Sequence, residues 1–372
     1  MKIKSLLLFA AIALFAACKH KPTGKVAITM TPEAGFGIGD DKPVPTSVHY
    51  PAGFSPDSVV YYIDSVRLGS KPDSSAFNIE TKNLHMGMRT IMAKVWSDGQ
   101  VYLGMTTFYK VPKEMPERLT FNVIAKFPHD TAADTHGLSY DNGFLYESVG
   151  DTTHGEIRKV DLATGKVLIR QRLPGKHYAK GNTILGDKVL VLADKEHVGY
   201  IFDKNTLRPE GTFTRTDGAN GGGITTDGKT IFYDDGTNRI WTLNKDSFKK
   251  IDFIDVYDHE SPVNLINELE YVEGKIYSNV YSFDTIVIID PVTGAVNQAI
   301  NLMNLWPFKD RPKTFNNEDN VINGIAYDAK GKRLFVTGRH WQSIYQIEIA
   351  KHLPQGIAAP DALPAPGTIP RN

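Results

Sequence analysis

The stretch THGLSYDNGFLYES (135–148) is the first of five copies of one pattern. Each copy has a short apolar strand, a turn built on Asp, Gly or Lys, and a second apolar strand. A third strand that ends in a turn then follows, as in VDLATGK (160–166). The other copies are KGNTILGDKVLVLA (180–193), GGITTDGKTIFYDD (222–235), NELEYVEGKIYSNV (267–280) and NGIAYDAKGKRLFV (323–336).

The spacing of the copies predicts the architecture. The matching positions Gly137, Gly181, Gly223, Glu268 and Gly324 are 44, 42, 45 and 56 residues apart. A period in the forties with four strands per unit is typical of a β-propeller blade. We therefore expect an all-β protein with a five-bladed β-propeller over residues 119–350. The segment LTFNVIAKF (119–127) is expected to close the ring as the outer strand of the last blade.

Residues 25–113 read as short strands and turns, including the hairpin MRTIMAKVW-SDGQ-VYLGMTTFYKV (88–111). This pattern predicts an immunoglobulin-like (Ig-like) β-sandwich ahead of the propeller. The Pro-rich stretch PKEMPE (112–117) marks the boundary. At the other end, residues 351–372 are rich in Pro and Ala and are expected to be a disordered tail.

The N-terminus MKIKSLLLFAAIALFAAC (1–18) has a basic start, an apolar run and small residues before Cys18. This order is typical of a secretory signal, and the cysteine after the small residues indicates a lipoprotein signal cleaved before a lipidated Cys18. A plain signal peptide with an incidental cysteine is the alternative. Lipidation predicts a short tether at 19–24 and a membrane-anchored protein in the cell envelope, facing the periplasm or the cell surface.

The charge balance indicates which class of partner the protein does not bind. Lys and Arg number 42 and Asp and Glu number 42, so the net charge is zero. With no basic stripe, this balance argues against a nucleic-acid partner.

The stretch FPHDTAADTHG (127–137) contains two histidines and two aspartates whose spacing fits no standard zinc site, namely His129, Asp130, Asp134 and His136. We expect no metal and no cofactor, and a monomer that binds a peptide or small molecule.

The predicted ring brings distant residues together. The first strand of each blade lines the central channel, so equivalent positions face one another. A polar pocket at the axis is therefore expected to be the ligand site. The five positions are His136, Lys180, Gly222, Asn267 and Asn323, and nearby strand ends add Asp134, Glu147, Asp194, Asp234, Tyr281 and Arg339.

Four motifs resemble the glutaminyl-peptide cyclotransferase family of plants and bacteria, the five-bladed type, over residues from about 121 to 348. They are YESVG, VGYIFDKNTL, NELEYVEGKIYSNV and NGIAYDAKGKRLFVTG. The resemblance implies conversion of an N-terminal glutamine into pyroglutamate with release of ammonia, without a metal. In that chemistry a pocket carboxylate carries the proton from the attacking amine to the leaving ammonia.

Carried over residue by residue, the resemblance implies a changed pocket. The position of the family's catalytic glutamate is Lys180, and its lysine after Thr-Gly is Arg339. The three pocket tryptophans fall at Asp194, Gly222 and Tyr281. The motifs that surround the pocket match, at Glu147, Asn267, Glu268, Glu270, Asn279, Asn323 and Gly324.

The charge reversal at Lys180 leaves the function open between two main interpretations. A protonated lysine has no lone pair with which to take a proton. In a cyclotransferase-like enzyme, His136 would be the replacement base because histidine titrates near pH 6.5. The alternative is a non-catalytic propeller that holds a peptide or glycan in a charged pocket; an enzyme of different chemistry is the third reading. Candidate ligand-binding residues are Asp134, Asp194, Asn267, Glu268, Asn279, Tyr281, Asn323 and Arg339.

Three further features have more than one interpretation. Glu268 and Glu270 share one face of a strand and are expected to link blades or hold a cation in the channel. Asp234 precedes Asp235-Gly236 and fits a turn. The aromatic residues Trp306, Phe308 and Trp341 form either a rim at the mouth or part of the core.

Overall fold

A computed structural model describes residues 26–39, 41–150, 155–175, 177–193, 197–214, 221–316 and 319–351. Within these ranges the chain is built of β-strands with one short 3₁₀ helix, Phe308–Asp310, so the all-β prediction is confirmed. The chain divides into two compact units. One comprises Met1–Glu33, Pro45–Asn78 and Thr90–Thr106, and the other comprises Ala34–Val44, Ile79–Arg89 and Thr107–Asn372.

The N-terminal strands form two sheets, ordered β1-β3-β6 and β2-β8-β7-β4-β5. Apolar residues alternate along them, and in β7 Ile91, Ala93 and Val95 are buried. The Ig-like assignment and its limits at 25–113 stay predictions. The strands are β1 (Thr29–Thr31), β2 (Phe36–Ile38), β3 (Val44–His49), β4 (Ser58–Ile63), β5 (Val66–Lys71), β6 (Phe77–Ile79), β7 (Gly87–Ser97) and β8 (Gln100–Lys110).

The second unit contains the predicted five-bladed propeller. Blades 1 to 3 are four-stranded antiparallel sheets in sequence order. Blade 1 comprises β10 (Thr135–Asp141), β11 (Phe144–Val149), β12 (Glu156–Asp161) and β13 (Val167–Arg172). Blade 2 comprises β14 (Ala179–Leu185), β15 (Lys188–Ala193), β16 (Val198–Asp203) and β17 (Pro209–Thr214). Blade 3 comprises β18 (Ile224–Thr226), β19 (Thr230–Asp234), β20 (Arg239–Asn244) and β21 (Lys250–Asp255).

The last two blades are joined by the strand that precedes the first repeat, β9 (Glu117–Pro128). Residues 120–128 of β9 pair with β28 as the outer strand of blade 5, which confirms the predicted closure. Its first residues, 117–119, pair in parallel with β25 of blade 4. Blade 4 comprises β22 (Ile266–Val272), β23 (Lys275–Val280), β24 (Thr285–Ile289) and β25 (Val296–Asn301), and blade 5 comprises β26 (Ile322–Asp328), β27 (Arg333–Gly338) and β28 (Ser343–Ala350).

Glycines allow the inner strands to approach closely around the axis. A Cβ atom on Gly137 would lie 2.6 Å from the Cα of Gly181, and one on Gly181 would lie 2.4 Å from the carbonyl oxygen of Gly222. On the other side of blade 1, a Cβ on Gly324 would lie 3.4 Å from Thr135. Larger side chains at the first two positions would push the blades apart.

The core lies between blades, and this arrangement explains the sequence pattern of the second strands. In β15 the run from Val189 to Ala193 is buried throughout. Such a strand has a blade on each side, so neither of its faces meets water, and it reads as a continuous apolar run rather than an alternating one.

The two tryptophans that suggested a rim belong to this core. Trp341 is 1% exposed and Trp306 is 4% exposed, and their rings meet edge to face at 5.4 Å between centroids. The rim interpretation is therefore wrong for both, because the loop between blades 4 and 5 folds back over the apolar side chains. Phe308 alone stays 61% exposed, with the guanidinium carbon of Arg311 4.2 Å from its ring centroid.

Candidate ligand site at the propeller axis

Irregular strand pairing places the predicted axial residues. The register between the first two strands shifts around His136 in blade 1, Lys180 in blade 2, Asn267 in blade 4 and Asn323 in blade 5. A β-bulge re-aims the side chain of the extra residue, and bulges are frequent beside functional sites. The repeated bulge therefore turns four equivalent side chains away from regular pairing at the same end of the ring.

A compact polar network lies at this end, which we call the axial mouth. Asp134 Oδ2 accepts a hydrogen bond from the Tyr178 hydroxyl at 2.6 Å. Its Oδ1 lies 3.3 Å from His136 Nε2 and 3.5 Å from Arg339 Nε. On the other side of the imidazole, His136 Nδ1 lies 3.3 Å from Arg339 Nη2. The structure thus brings together three predicted residues and adds Tyr178.

The contacts of His136 define its tautomer. Arg339 can only donate, so Nδ1 must accept and the ring proton lies on Nε2. That proton points at Asp134 and at the Tyr178 hydroxyl, which is 2.5 Å from Nε2. Both ring nitrogens are therefore engaged within the mouth, and His136 is 4% exposed. A catalytic role for His136 stays a prediction.

The charges of the network set its protonation. Burial, together with the positive charges of Arg339 and Lys180, lowers the pKa of His136 to about 4 against the opposing effect of Asp134. For Asp134, burial raises the pKa, but His136, Tyr178 and Arg339 outweigh it and lower the pKa to about 2. At neutral pH the imidazole is neutral and the carboxylate is ionised.

The two basic side chains of the mouth, Lys180 and Arg339, each lie near an aromatic ring. Lys180 Nζ lies 5.4 Å from the centroid of the Tyr178 ring, and its side chain is half-buried. The guanidinium carbon of Arg339 lies 5.4 Å from the centroid of the Tyr281 ring. Cations at this distance from a ring face are stabilised by its quadrupole. Lys180 also lies close enough to His136 for its positive charge to lower the pKa of the imidazole.

Two asparagines complete the inner wall. Asn267 Nδ2 donates to Oδ1 of Asn323 at 2.9 Å, which joins blades 4 and 5. The remaining Nδ2 of Asn323 is buried and has no hydrogen-bond partner among the described residues. Gly222 lies beside this pair, since a Cβ there would be 2.5 Å from Asn267 Oδ1.

Glu268 and Asn279 lie inside the wall of the ring instead of facing the mouth. Glu268 Oε1 accepts from the backbone of Leu138 in blade 1 at 3.3 Å, and Oε2 accepts from Ile325 in blade 5 at 3.1 Å. Asn279 accepts from the Glu268 backbone at 2.9 Å and donates to the Ile322 carbonyl at 2.7 Å. These contacts link blades, so the geometry favours a structural role for Glu268 and Asn279. That either residue contacts a ligand stays a prediction, which this geometry does not support.

Three carboxyl groups buried near the axis resist ionisation. Burial, and next the neighbouring Glu270, raises the pKa of Glu268 well above its usual range. Burial also raises the pKa of Glu270 to about 8 and that of Asp234 to about 7. Asp234 accepts hydrogen bonds from the backbone of Gly222, Gly223 and Gly236, so it holds the turn as predicted. None of the three is more than 8% exposed.

Glu147 belongs to a separate buried contact behind the mouth. Its Oε1 lies 2.8 Å from His129 Nε2 and accepts from the Thr135 hydroxyl at 2.6 Å. His129 Nδ1 lies 2.6 Å from the Trp341 carbonyl, which fixes the ring. Across the described ranges, no three His, Cys, Asp or Glu side chains converge in a metal-binding arrangement.

Some sequence predictions lie outside the described residues, namely the signal peptide with Cys18, the tether at 19–24, Asp194 and the tail from residue 352 onward. One mouth residue was missed. Tyr178 precedes β14 by one residue, and its signal was its place beside the bulge at Lys180.

A surface cavity of about 360 Å³ lies elsewhere, between the outer parts of blades 2 and 3. We favour the axial mouth as the ligand site because polar groups converge there.

Comparisons with known proteins identify the family of this chain. The family model described as glutamine cyclotransferase matches residues 99–349. A glutaminyl-peptide cyclotransferase from Arabidopsis thaliana is 36% identical over 228 residues, which cover 61% of this chain and 70% of that protein. The crystal structure of glutaminyl cyclase from Myxococcus xanthus superposes with a TM-score of 0.58 and 28% identity, over 63% of this chain and 98% of that chain. The chain belongs to the glutamine cyclotransferase family.

Proposed function

We propose that this protein is a glutaminyl-peptide cyclotransferase-like propeller that binds the N-terminal residue of a peptide at its axial mouth and does not cyclise it. The family membership and the similarity to a plant glutaminyl-peptide cyclotransferase support the peptide ligand. The observation that carries the second part is Lys180, a half-buried cation beside the Tyr178 ring in the mouth.

Cyclisation of glutamine needs a group that both accepts and donates a proton near neutral pH. A lysine that carries its positive charge has no lone pair to offer. The pKa of Asp134 is lowered to about 2, which makes it a weak base, and His136 has its lone pair facing Arg339. Asp234 has a pKa near neutrality but no exposed surface with which to reach a ligand.

Calorimetry with the dipeptide amide Gln-Ala-NH₂, together with an ammonia assay on the same mixture, tests the proposal. We expect heat of binding without ammonia release above the rate in buffer. The Arg339→Ala variant should weaken binding, while Lys188→Gln in β15, a position away from the mouth, should not. Ammonia release by the unmutated protein, or the absence of heat of binding, would overturn the proposal.

We also propose that Cys18 anchors the protein to a membrane of the cell envelope. The support is the order of basic, apolar and small residues before Cys18. No helix among the described residues is long and apolar enough to cross a membrane. Labelling cells with a radioactive fatty acid should mark the unmutated protein and not the Cys18→Ser variant; equal labelling of both would refute the anchor.

A further inference from the structure

We infer that the outer face of the N-terminal five-stranded sheet rests on the surface of a lipid bilayer. The inference uses no residue of the axial mouth. It rests on the proposed anchor at Cys18 for the nearness of a membrane, and on the side chains of the sheet for the contact itself. The place where the N-terminal segment packs against the sheet connects the two.

The outer face of this sheet is apolar where an antiparallel sheet is usually polar. Along β4, β7 and β8 every second side chain points to the buried side, and the alternate ones point outward. Outward positions of a solvated antiparallel sheet normally carry polar residues. Here they carry a group of apolar and aromatic side chains that we call the apolar sheet face: Tyr62, Met92, Trp96, Val101, Leu103 and Met105.

The apolar sheet face is continuous and open to solvent. Val101, Leu103 and Met105 lie on one side of β8 and are 49%, 57% and 62% exposed. β8 neighbours β7 in the sheet, and the register of β7 with β4 sets Met92 opposite Tyr62. Three adjacent strands therefore contribute to one surface, and removing such side chains from water is favourable.

The side chains of this face fit the boundary between lipid headgroups and acyl chains. The amphipathic rings of Trp96 and Tyr62 are of the kind that concentrates at that boundary. Lys94 lies among them, with its Nζ 5.0 Å from the centroid of the Tyr62 ring. A lysine can lay its apolar stem along such a surface and keep its ammonium group at the headgroups. The leucine, methionine and valine side chains would enter the acyl region.

The size of the face favours a bilayer over a second copy of the chain. Five residues of β8 across three strands make a surface about 15 Å on each side, which is roughly 200–300 Å². A stable interface between proteins buries about 800 Å² on each partner. Docking to a membrane needs only a few inserted side chains, because the anchor holds the protein at the surface.

The N-terminal segment joins the molecule directly behind this face. A Cβ atom on Gly104 would lie 2.8 Å from Ile28 Cγ2. Gly104 is buried and stands between Leu103 and Met105, so Ile28 packs on the inner side of the same stretch of β8. Ile28 follows Cys18 by ten residues, which can span at most about 35 Å. An anchored Cys18 therefore keeps the apolar sheet face close to the bilayer.

Vesicle flotation of the chain from residue 19 onward tests the inference, because this chain keeps every described residue but carries no lipid. We expect it to float with vesicles of phosphatidylcholine, with or without phosphatidylglycerol, and to tolerate added salt, since the attraction is apolar. Leu103→Thr/Met105→Thr should lower the partition coefficient about tenfold. The control Ile251→Thr/Val292→Thr, at positions 62% and 65% exposed in blades 3 and 4, should not.

Tryptophan fluorescence supplies a second measurement that does not depend on the double variant. Brominated phosphatidylcholine quenches a tryptophan that enters the bilayer, and the chain has four tryptophans. We expect quenching in the unmutated chain and its loss in Trp96→Phe. Quenching that persists in Trp96→Phe would overturn the inference, because a different tryptophan would then lie in the lipid.

The remaining outcomes also decide between the possibilities. No flotation, or equal flotation of Leu103→Thr/Met105→Thr and its control, overturns the inference and leaves the Cys18 anchor to its own labelling test. A dimer in sedimentation equilibrium that dissociates in Leu103→Thr/Met105→Thr also overturns it, since a second copy would then cover the face. Threonine suits a strand, so thermal unfolding of this variant should match that of the unmutated chain. That match separates loss of docking from loss of the fold.

Discussion

The Tyr178 hydroxyl lies 2.6 Å from Asp134 Oδ2 and so ties the entry of blade 2 to the residue that precedes blade 1. The same hydroxyl is 2.5 Å from His136 Nε2. One phenol group therefore holds both the carboxylate and the imidazole of the mouth in place. The bond to Asp134 occupies one of its two carboxylate oxygens and helps to keep the group ionised.

Replacing Tyr178 with phenylalanine should lower the free energy of unfolding by about 1–3 kcal/mol, because the hydrogen bonds of its hydroxyl with Asp134 and His136 are both lost. It should also raise the pKa of Asp134, since the hydroxyl stabilises the ionised form. Urea unfolding and NMR titration of the aspartate carboxyl signals measure the two effects. The control Tyr109→Phe, at a position that is 40% exposed, should change stability by less than about 0.5 kcal/mol. An unchanged Asp134 pKa in Tyr178→Phe would contradict this role.

Glu270 should make the protein less stable as the pH rises. Burial raises its pKa from 4.5 to about 8, so the folded protein holds a proton that the unfolded chain has lost. Its contribution is fully present below about pH 4.5 and is lost as the pH rises through about 8. Glu270→Gln, which keeps the acceptor for the Tyr327 backbone, should be close to the unmutated protein in stability at pH 5 and more stable at pH 8.5. Parallel stability profiles for the two proteins, from urea unfolding, would refute this assignment.

The inter-blade role of Glu268 predicts a large cost for its removal. Glu268→Ala leaves the backbone N–H groups of Leu138 and Ile325 without acceptors, and each buried orphan costs about 1–3 kcal/mol. Glu268→Gln should cost less because one oxygen remains. If Glu268→Ala kept its unfolding midpoint in urea but lost dipeptide binding, Glu268 would be a ligand residue after all.

A matched pair of aromatic residues is offered by Trp341, between β27 and β28, and Phe308, in the loop between blades 4 and 5. Trp341→Ala should lower the free energy of unfolding by about 3–5 kcal/mol, because a side chain that is 1% exposed leaves a cavity between the blades. Phe308→Ala, at 61% exposure, should stay within about 0.5 kcal/mol of the unmutated protein. Comparable losses in urea unfolding would mean that Phe308 also supports the core.

The repeat could be predicted from the sequence because a blade cannot bury its faces alone. Each blade must pack against its neighbours, so the same strand pattern occurs five times. Because the first strand of every blade lines the axis, the period also identifies the residues that reach it. His136, Lys180, Asn267 and Asn323 were found by this period. The closing strand at 119–127 was found because a ring must pair its last outer edge.

The remaining details depend on side-chain direction, which the period does not encode. Tyr178 lies one residue before its strand and reaches across to Asp134, so no repeat position marks it. Glu268 follows the axial residue Asn267 but turns into the wall, where backbone N–H groups of two other blades need an acceptor. Trp306 and Trp341 are far apart in sequence and pack together only once the loop has folded.

The most direct test of the central claim is the rate of ammonia release from Gln-Ala-NH₂ and Gln-Phe-NH₂ by the unmutated protein beside the Lys180→Glu variant. We expect no release by the unmutated protein, because Lys180, at the position that the resemblance assigns to the proton-carrying carboxylate, cannot accept a proton while it is charged. Any release gained in Lys180→Glu would identify the lysine as the block. Turnover by the unmutated protein would contradict the account, since another group of the mouth, His136 first, would then carry the proton.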